Sequence, residues 1–423
     1  MAIPPESGSL GPAKDAAARV RTMDQVGEEA DAASGGAAAR DYLARARALA
    51  PDIAFFADRI EQERRLPEPL LASLLEAGLY RLLLPRAFAG GEIDPVTFVE
   101  IIETLAKADA SAAWCLCQAA GCSMVAAFLA PEVAATIFGR DRRAVLAWGP
   151  GPGRAVIVEG GYRVTGNWSF ASGGRHATWF GGQCALYEGD GTQRRAPDGT
   201  PATRTMLFPA ARATVTDIWQ VMGLRGTGSD AYAVSDLFVP ADYSVARDEQ
   251  AERREAGPLY ALPTSSCYAA GFAGVALGIA RVTLDAFVAL AGEKTPRGFK
   301  SALRNNAVVQ AQIAQSEARL ASARLFLLHS LGEIWRETVR TNAVTLAQRM
   351  RIRLAATYAI GEATAVVDTA YHAAGATAIF VSNVFERRFR DIHTVAQQVQ
   401  GRASHFETVG QFMLGLEPDL MFL

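Results

Sequence analysis

Apolar positions in the first third of the chain recur at helical spacing. Leu66, Leu70, Leu71, Leu74, Leu75 and Leu79 form one stripe with Gly78 near its end, inside a helical stretch expected from Tyr42 to about Arg143. The turn Phe88-Ala89-Gly90-Gly91 separates that stripe from an amphipathic stretch, Phe98 to Leu105. A third apolar stretch runs from Ala112 to Leu129 and stops before Pro131. Residues 1–40 are rich in Ala, Gly, Ser and charge with little apolar periodicity, and read as a disordered leader.

Between Trp148 and Pro240 the pattern shortens to strand length. Ala155–Val158, the turn Gly160-Gly161 and Tyr162–Thr165 read as strand, turn, strand. Ala177–Tyr187, Thr205–Phe208, Val215–Trp219 and Tyr232–Val239 are further candidates. The polar run Gly189–Arg204, with Pro197-Asp198-Gly199, reads as a solvent loop. After Pro263 helices return, expected at about 264–291, 302–330, 332–342, 344–373 and 384–414, with no proline between Pro296 and Pro418. The order is therefore a helical domain over 41–145, a β domain over 146–250 and a helical bundle over 260–423.

Composition narrows the function classes. With 42 Lys and Arg against 44 Asp and Glu, the formal charge of -2 gives no general attraction to nucleic acid or an anionic membrane. No apolar run reaches the ~18 residues of a transmembrane helix, and the N-terminus lacks the basic and apolar regions of a signal peptide, so a cytoplasmic location is expected. Five cysteines are too few and odd in number for a disulfide framework, and Cys115, Cys117 and Cys122 read as core residues. No metal-spaced cluster occurs: His176, His329, His372, His393 and His405 are dispersed. Glu100, Glu103 and Glu132 fall on amphipathic helices and read as surface or packing residues.

Two glycine-rich segments fail as nucleotide motifs. Gly223-Leu-Arg-Gly226-Thr-Gly228-Ser-Asp230 does not lie between a strand and a helix of a βαβ unit. Trp148-Gly-Pro-Gly-Pro-Gly153 lacks the Gly-Lys-Ser/Thr of a P-loop. A three-part αβα chain without a self-contained catalytic motif needs a cofactor for redox chemistry.

Tyr162-Arg-Val-Thr-Gly-Asn-Trp-Ser-Phe-Ala-Ser-Gly173, followed by Ala177-Thr-Trp179, resembles the central β-domain signature of the acyl-CoA dehydrogenase superfamily. Gly223–Ser229 running into Val234–Pro240 is similar to the segment that closes that domain. Gly278-Ile-Ala-Arg281 and Arg387-Arg-Phe-Arg-Asp391 resemble its bundle motifs. The resemblance implies an α+β fold: an N-terminal α domain, a central β-barrel-like domain and a C-terminal antiparallel bundle. It implies a flavin, FMN or FAD, along Phe170, Ala171 and Ser172, with Trp148 and Gly149 nearby. His372, Gly375 and Ala376 match the glycine turn that approaches the cofactor, and Arg297 matches a basic residue that reaches a neighbouring subunit's flavin phosphate. A homotetramer is implied.

The resemblance also bears on the reaction. A dehydrogenase of this superfamily needs a carboxylate base. One family position corresponds to Thr394–Gln400, which holds no acid; the other falls near Tyr268, and no Asp or Glu occurs from Gly257 to Leu284. Phe389-Arg-Asp-Ile-His393 and Phe170-Ala-Ser-Gly173 instead resemble the two-component flavin monooxygenases, which take reduced flavin as a diffusible co-substrate from a separate reductase and oxygenate a small aromatic or heteroatom-containing molecule. Many hydroxylases of that branch carry histidines where this chain has Gln398 and near Gly121. Ser172, Gln398 and His393 are the expected catalytic residues, Ser172 bordering the flavin and Gln398 capping the pocket from a helix. A flavin dehydrogenase or oxidase is the alternative.

Overall fold

The computed structural model describes residues 36–139, 141–421 and 423. Most of the expected leader, residues 1–35, lies outside the described residues. Its end does not: helix α1 spans Ala37–Glu63 and Ala39 is already buried, because the Ala-rich run favours helix as soon as one face can pack. Helix α2 spans Glu68–Glu76, α3 Pro95–Ala108 and α4 Ala110–Ser123. The leucine stripe is buried as expected, and Gly78, at φ 76°, ends its turn. Asp94 caps α3 by accepting from the Thr97 N–H. Asp109 ends α3 and caps α4 by accepting from the Ala112 N–H, so one residue turns the chain between them.

The middle of the chain is an eight-stranded mixed sheet: β1 Leu146–Trp148, β2 Gly153–Val158, β3 Gly161–Ala171, β4 Trp179–Tyr187, β5 Thr203–Pro209, β6 Thr214–Thr216, β7 Asp230–Pro240 and β8 Ser244–Val245. Its order is β6-β7-β3-β2-β4-β5-β8, with β1 pairing β4 in parallel. Trp168, Phe180, Phe208 and Tyr232 fill its core. Strand β6 ends earlier than the sequence suggests, because Trp219 leaves the sheet and donates from Nε1 to the Leu224 carbonyl.

The bundle comprises α5 Thr264–Glu293, α6 Ala307–Thr341, α7 Leu346–Ala374, α8 Val384–Gln397 and α9 Ser404–Met413. Two expected boundaries move. The helices expected at 302–330 and 332–342 are one, because Leu327, Leu328, Leu331 and Ile334 continue a single buried face past Gly332. The helix expected at 384–414 is two, interrupted where the Gln398 side chain accepts from the Gln400 N–H. Gln398 therefore stands outside any α-helix. By length and composition alone, Ala110–Phe128 and Thr264–Glu293 could cross a bilayer, contrary to the reading of short apolar runs. Almost all of the first and most of the second are enclosed by the protein, which is why they carry so little charge.

All five cysteines are free and buried. Glu103, also buried, receives an N–H from Arg324 at 2.9 Å, Glu100 lies 3.7 Å from the same guanidinium, and Glu132 is exposed. These acids serve packing or face solvent.

His176 pins the β domain to the start of α2. Its Nε2 lies 3.1 Å from the Leu66 nitrogen and 3.2 Å from the Leu66 oxygen, while Nδ1 is buried with no partner among the described residues. Burial pushes its pKa down to about 4. The ring is therefore neutral in the fold but takes a proton near 6.5 when unfolded, so its contribution is complete above pH 6.5 and lost as pH falls toward 4. Between pH 7.5 and 5 wild type should lose on the order of 1–2 kcal/mol through this residue. Thermal midpoints of wild type and His176→Gln at the two pH values check this; parallel pH dependences would contradict it.

Candidate functional site

The end of β3 is built differently from its start. The register with β7 shifts between Trp168 and Ala171, leaving Ser169 and Phe170 outside the ladder, and Phe170 takes a left-handed φ of 60°. Phe170 is 58% exposed, and its ring packs edge-on against Trp219 at 5.9 Å. The segment after β1 lies directly on this bulge: the Ser169 N–H donates to the Pro150 carbonyl, and a Cβ at Gly149 would sit 1.7 Å from the Ser169 oxygen. Only glycine allows that approach.

Beyond the bulge, Ser172 is buried in a directed hydrogen-bond chain. Trp114 Nε1 donates to Ser172 Oγ at 3.0 Å, Ser172 and Ser229 share a 2.7 Å bond, and Ser229 and Thr227 share another of 2.7 Å. Thr227 donates its only hydroxyl proton to the Leu224 carbonyl. Thr227 must therefore accept from Ser229, and Ser229 from Ser172. Ser172 has no proton left to give and retains only acceptor capacity.

Trp114 leads across a seam to the bundle. Its ring stacks on Phe272 at 3.9 Å, and Phe272 stacks on Tyr268 at 5.7 Å. The Tyr268 hydroxyl lies 3.3 Å from Cys122 Sγ and 3.3 Å from Gln118 Nε2, which also donates to the Trp148 carbonyl at 3.4 Å. A Cβ at Gly121 would meet the Tyr268 ring at 2.2 Å. The space beside Gly121 is thus filled by a tyrosine from α5. Burial pushes the Tyr268 hydroxyl well above its ordinary value, so it remains neutral.

The expected site residues fall into three groups. Trp148, Gly149, Phe170, Ala171 and Ser172 come together at this seam. His372 lies in the last turn of α7 and Gly375 and Ala376 follow it, where Gly375 has φ 59° and Lys294 donates to the Ala374 carbonyl at 2.5 Å and to Thr377 Oγ1 at 2.7 Å. Arg297 is exposed in the loop after α5, and Lys294 was missed. His393 pairs with Asp368 at 2.9 Å and packs on Phe389, itself stacked on Tyr371. Gln398 shares no hydrogen bond with the Ser172 chain among the described residues; Gln400, unremarked in the sequence, is buried on Arg353.

Two family models match the chain: acyl-CoA dehydrogenase, N-terminal domain, over 37–138, and acyl-CoA dehydrogenase, C-terminal domain, over 270–401. The chain belongs to the acyl-CoA dehydrogenase family. It is 29% identical to indole-3-acetate monooxygenase of Pseudomonas putida, over 85% of this chain and 90% of that protein. It is 27% identical to the oxygenase component of p-hydroxyphenylacetate 3-hydroxylase of Acinetobacter baumannii, over 89% and 90%. The solved structure of 3-HSA hydroxylase from Rhodococcus sp. RHA1 superposes with a TM-score of 0.82 at 25% identity, covering 90% of this chain and 99% of that one.

Within this acyl-CoA dehydrogenase frame, the seam suits a flavin. An exposed aromatic ring stands beside main chain released from its ladder, and Ser172 offers an acceptor. A dehydrogenase base is another matter. The buried carboxylates among the described residues are Asp94, Glu103, Asp109, Asp230 and Asp391. Asp94 and Asp109 cap helices, Glu103 is bonded to Arg324, Asp230 accepts from Arg175 at 2.7 Å, and Asp391 accepts from the Leu224 N–H at 2.7 Å. Every one is engaged in structure.

The hydroxyl chain makes a thermodynamic prediction. Ser172→Ala strands the buried Trp114 N–H and should cost about 1–3 kcal/mol. Ser229→Ala should cost a similar amount, and the double variant less than the two together. Urea unfolding of the three variants measures this; strictly additive losses would dissolve the chain.

Proposed function

We infer that this chain is the oxygenase component of a two-component flavin-dependent monooxygenase that acts on a small aromatic or heteroaromatic compound. The observation that carries the reading is the neutral seam. Gln118, Tyr268 and Cys122 meet there, Ser172 is joined to them through the Trp114–Phe272–Tyr268 stack, and no buried carboxylate among the described residues is free, which suits oxygen transfer and leaves α-proton abstraction without a base. The named functions of the relatives agree: indole-3-acetate monooxygenase and the oxygenase components of resorcinol and p-hydroxyphenylacetate hydroxylases.

Reduced flavin, when bound, supplies the two electrons with which O2 is divided between substrate and water. The protein's part is to bind, orient and exclude water. Phe170 and the bulged main chain would hold the ring. Ser172, left with acceptor capacity alone, matches the N5–H that reduced flavin carries and oxidised flavin lacks. Tyr268 and Gln118 would meet the substrate from the helical side, and the stacked Trp114–Phe272–Tyr268 rings close that side to water. A separate reductase would deliver the reduced flavin. Lys294 and Arg297, near the Gly375 turn, are the cations suited to its phosphate.

We also read a homotetramer, supported by the exposed apolar run Ile379-Phe380-Val381 beside that turn. Anaerobic titration with reduced and oxidised FMN and FAD, with light scattering on the same samples, tests both parts. Reduced flavin should bind at least tenfold more tightly to a tetramer. Tighter binding of oxidised flavin, reduced directly by a substrate, would favour the dehydrogenase or oxidase alternative; a monomer would remove the shared site.

A further inference from the structure

Helix α4 and the first part of α5 are almost wholly enclosed, and each presents a polar side chain at the same place. Gln118 is the only residue of α4 that is not buried. Between Thr264 and Arg281 of α5, only Ser265 and Tyr268 are not buried. Gln118 and Tyr268 are bonded to each other, so the two partly exposed side chains mark one opening in the seam.

A cation stands beside that opening. The guanidinium of Arg247, in the segment after β8, lies over the Trp148 ring at 4.7 Å, and Trp148 is the residue whose carbonyl Gln118 holds. Its charge opposes the burial that raises the Cys122 thiol and the Tyr268 hydroxyl, as expected of a group close to both. Arg247 has no carboxylate partner among the described residues. Its Nη2 donates to the neutral Gln183 Oε1 at 2.9 Å; the adjacent Asp248 accepts from the Thr264 N–H and hydroxyl, and Glu252 is taken by Arg204. A partly buried guanidinium, stacked on an indole and facing neutral hydrogen-bonding groups, lacks an anion with planar acceptor geometry.

We propose that Arg247 selects the substrate: the molecule oxygenated at this seam is an aromatic compound bearing a carboxylate, which Arg247 holds while Tyr268 and Gln118 contact the ring end. The proposal rests on the monooxygenase reading and deepens it by naming the substrate class. Trp148 fixes the plane of the guanidinium and Gln183 one of its edges, leaving the remaining N–H groups for the carboxylate.

The test is calorimetric titration of the full chain with matched pairs: benzoate and benzamide, phenylacetate and phenylacetamide, indole-3-acetate and indole-3-acetamide. At least one acid should bind ten or more times more tightly than its amide, with an affinity that falls as salt rises. Arg247→Gln should reduce that preference to under twofold with an unchanged thermal midpoint, and Arg247→Lys should retain part of it. Equal affinities, tighter amides, or no acid bound would overturn the proposal. So would an Arg247→Gln protein that keeps its acid affinity but loses reduced FMN, because the cation would then serve the flavin phosphate. Flavin binding measured on the same protein separates the two readings. Reduced flavin bound without a charge preference refutes only the substrate class, whereas failure to bind flavin refutes the monooxygenase.

Discussion

Close approach of backbone at Gly223–Ser229 is the constraint on which the rest of the structure depends. A Cβ at Gly223 would lie 2.1 Å from the Arg390 oxygen of α8. One at Gly226 would lie 2.1 Å from Ile60 of α1 and 2.9 Å from Ser111 of α4. Sheet, N-terminal helices and bundle thus converge on one short segment, at distances only glycine permits. Polar contacts fix the convergence: the Leu224 N–H donates to Asp391, and Arg388 donates to the carbonyls of Ala106, Lys107 and Ala108 at the end of α3. The carbonyls left open where α3 ends are thereby satisfied by a side chain from the bundle. Burial pushes the Asp391 carboxyl up to about 7 against the attraction of Arg388, so enclosure outweighs the nearby charge at this junction.

From this junction the site follows. Leu224 receives the hydroxyl of Thr227, Thr227 that of Ser229, and Ser229 that of Ser172. The bulge that turns Phe170 outward is thereby anchored to the same segment that anchors the bundle. Trp114 adds α4 to the chain, and its stack with Phe272 adds α5. Small shifts at the junction would be felt at the seam, because interiors packed this closely transmit displacement.

Much of this was legible in the sequence, and the reason for each gap is physical. Helical and strand periodicities located the three parts because each buries one continuous face, as the Leu70–Leu75 stripe does. The glycine-rich segment 223–229 read as a plain connector because its contacts, Ile60, Ser111 and Arg390, lie more than a hundred residues away in sequence. Gln398 was assigned to a helix because nothing local announces that its side chain caps Gln400. Ser172 was visible as a site residue, but not the direction of its proton, which depends on Trp114, Ser229 and Thr227 together. Arg247 and Lys294 were missed for the same reason: Trp148 and Ala374 give them meaning, and both are distant in the chain.

The engagement of every buried carboxylate among the described residues, with neutral groups held at fixed places, makes oxygen transfer the central claim. Single turnover measures it most directly. Anaerobic protein with reduced flavin and a bound aromatic acid is mixed with O2 labelled with the heavy isotope, and the product is weighed by mass spectrometry. The account predicts one labelled oxygen atom in the product and the other in water, with no turnover when O2 is withheld. Unlabelled, desaturated product formed by oxidised flavin without O2 would contradict it.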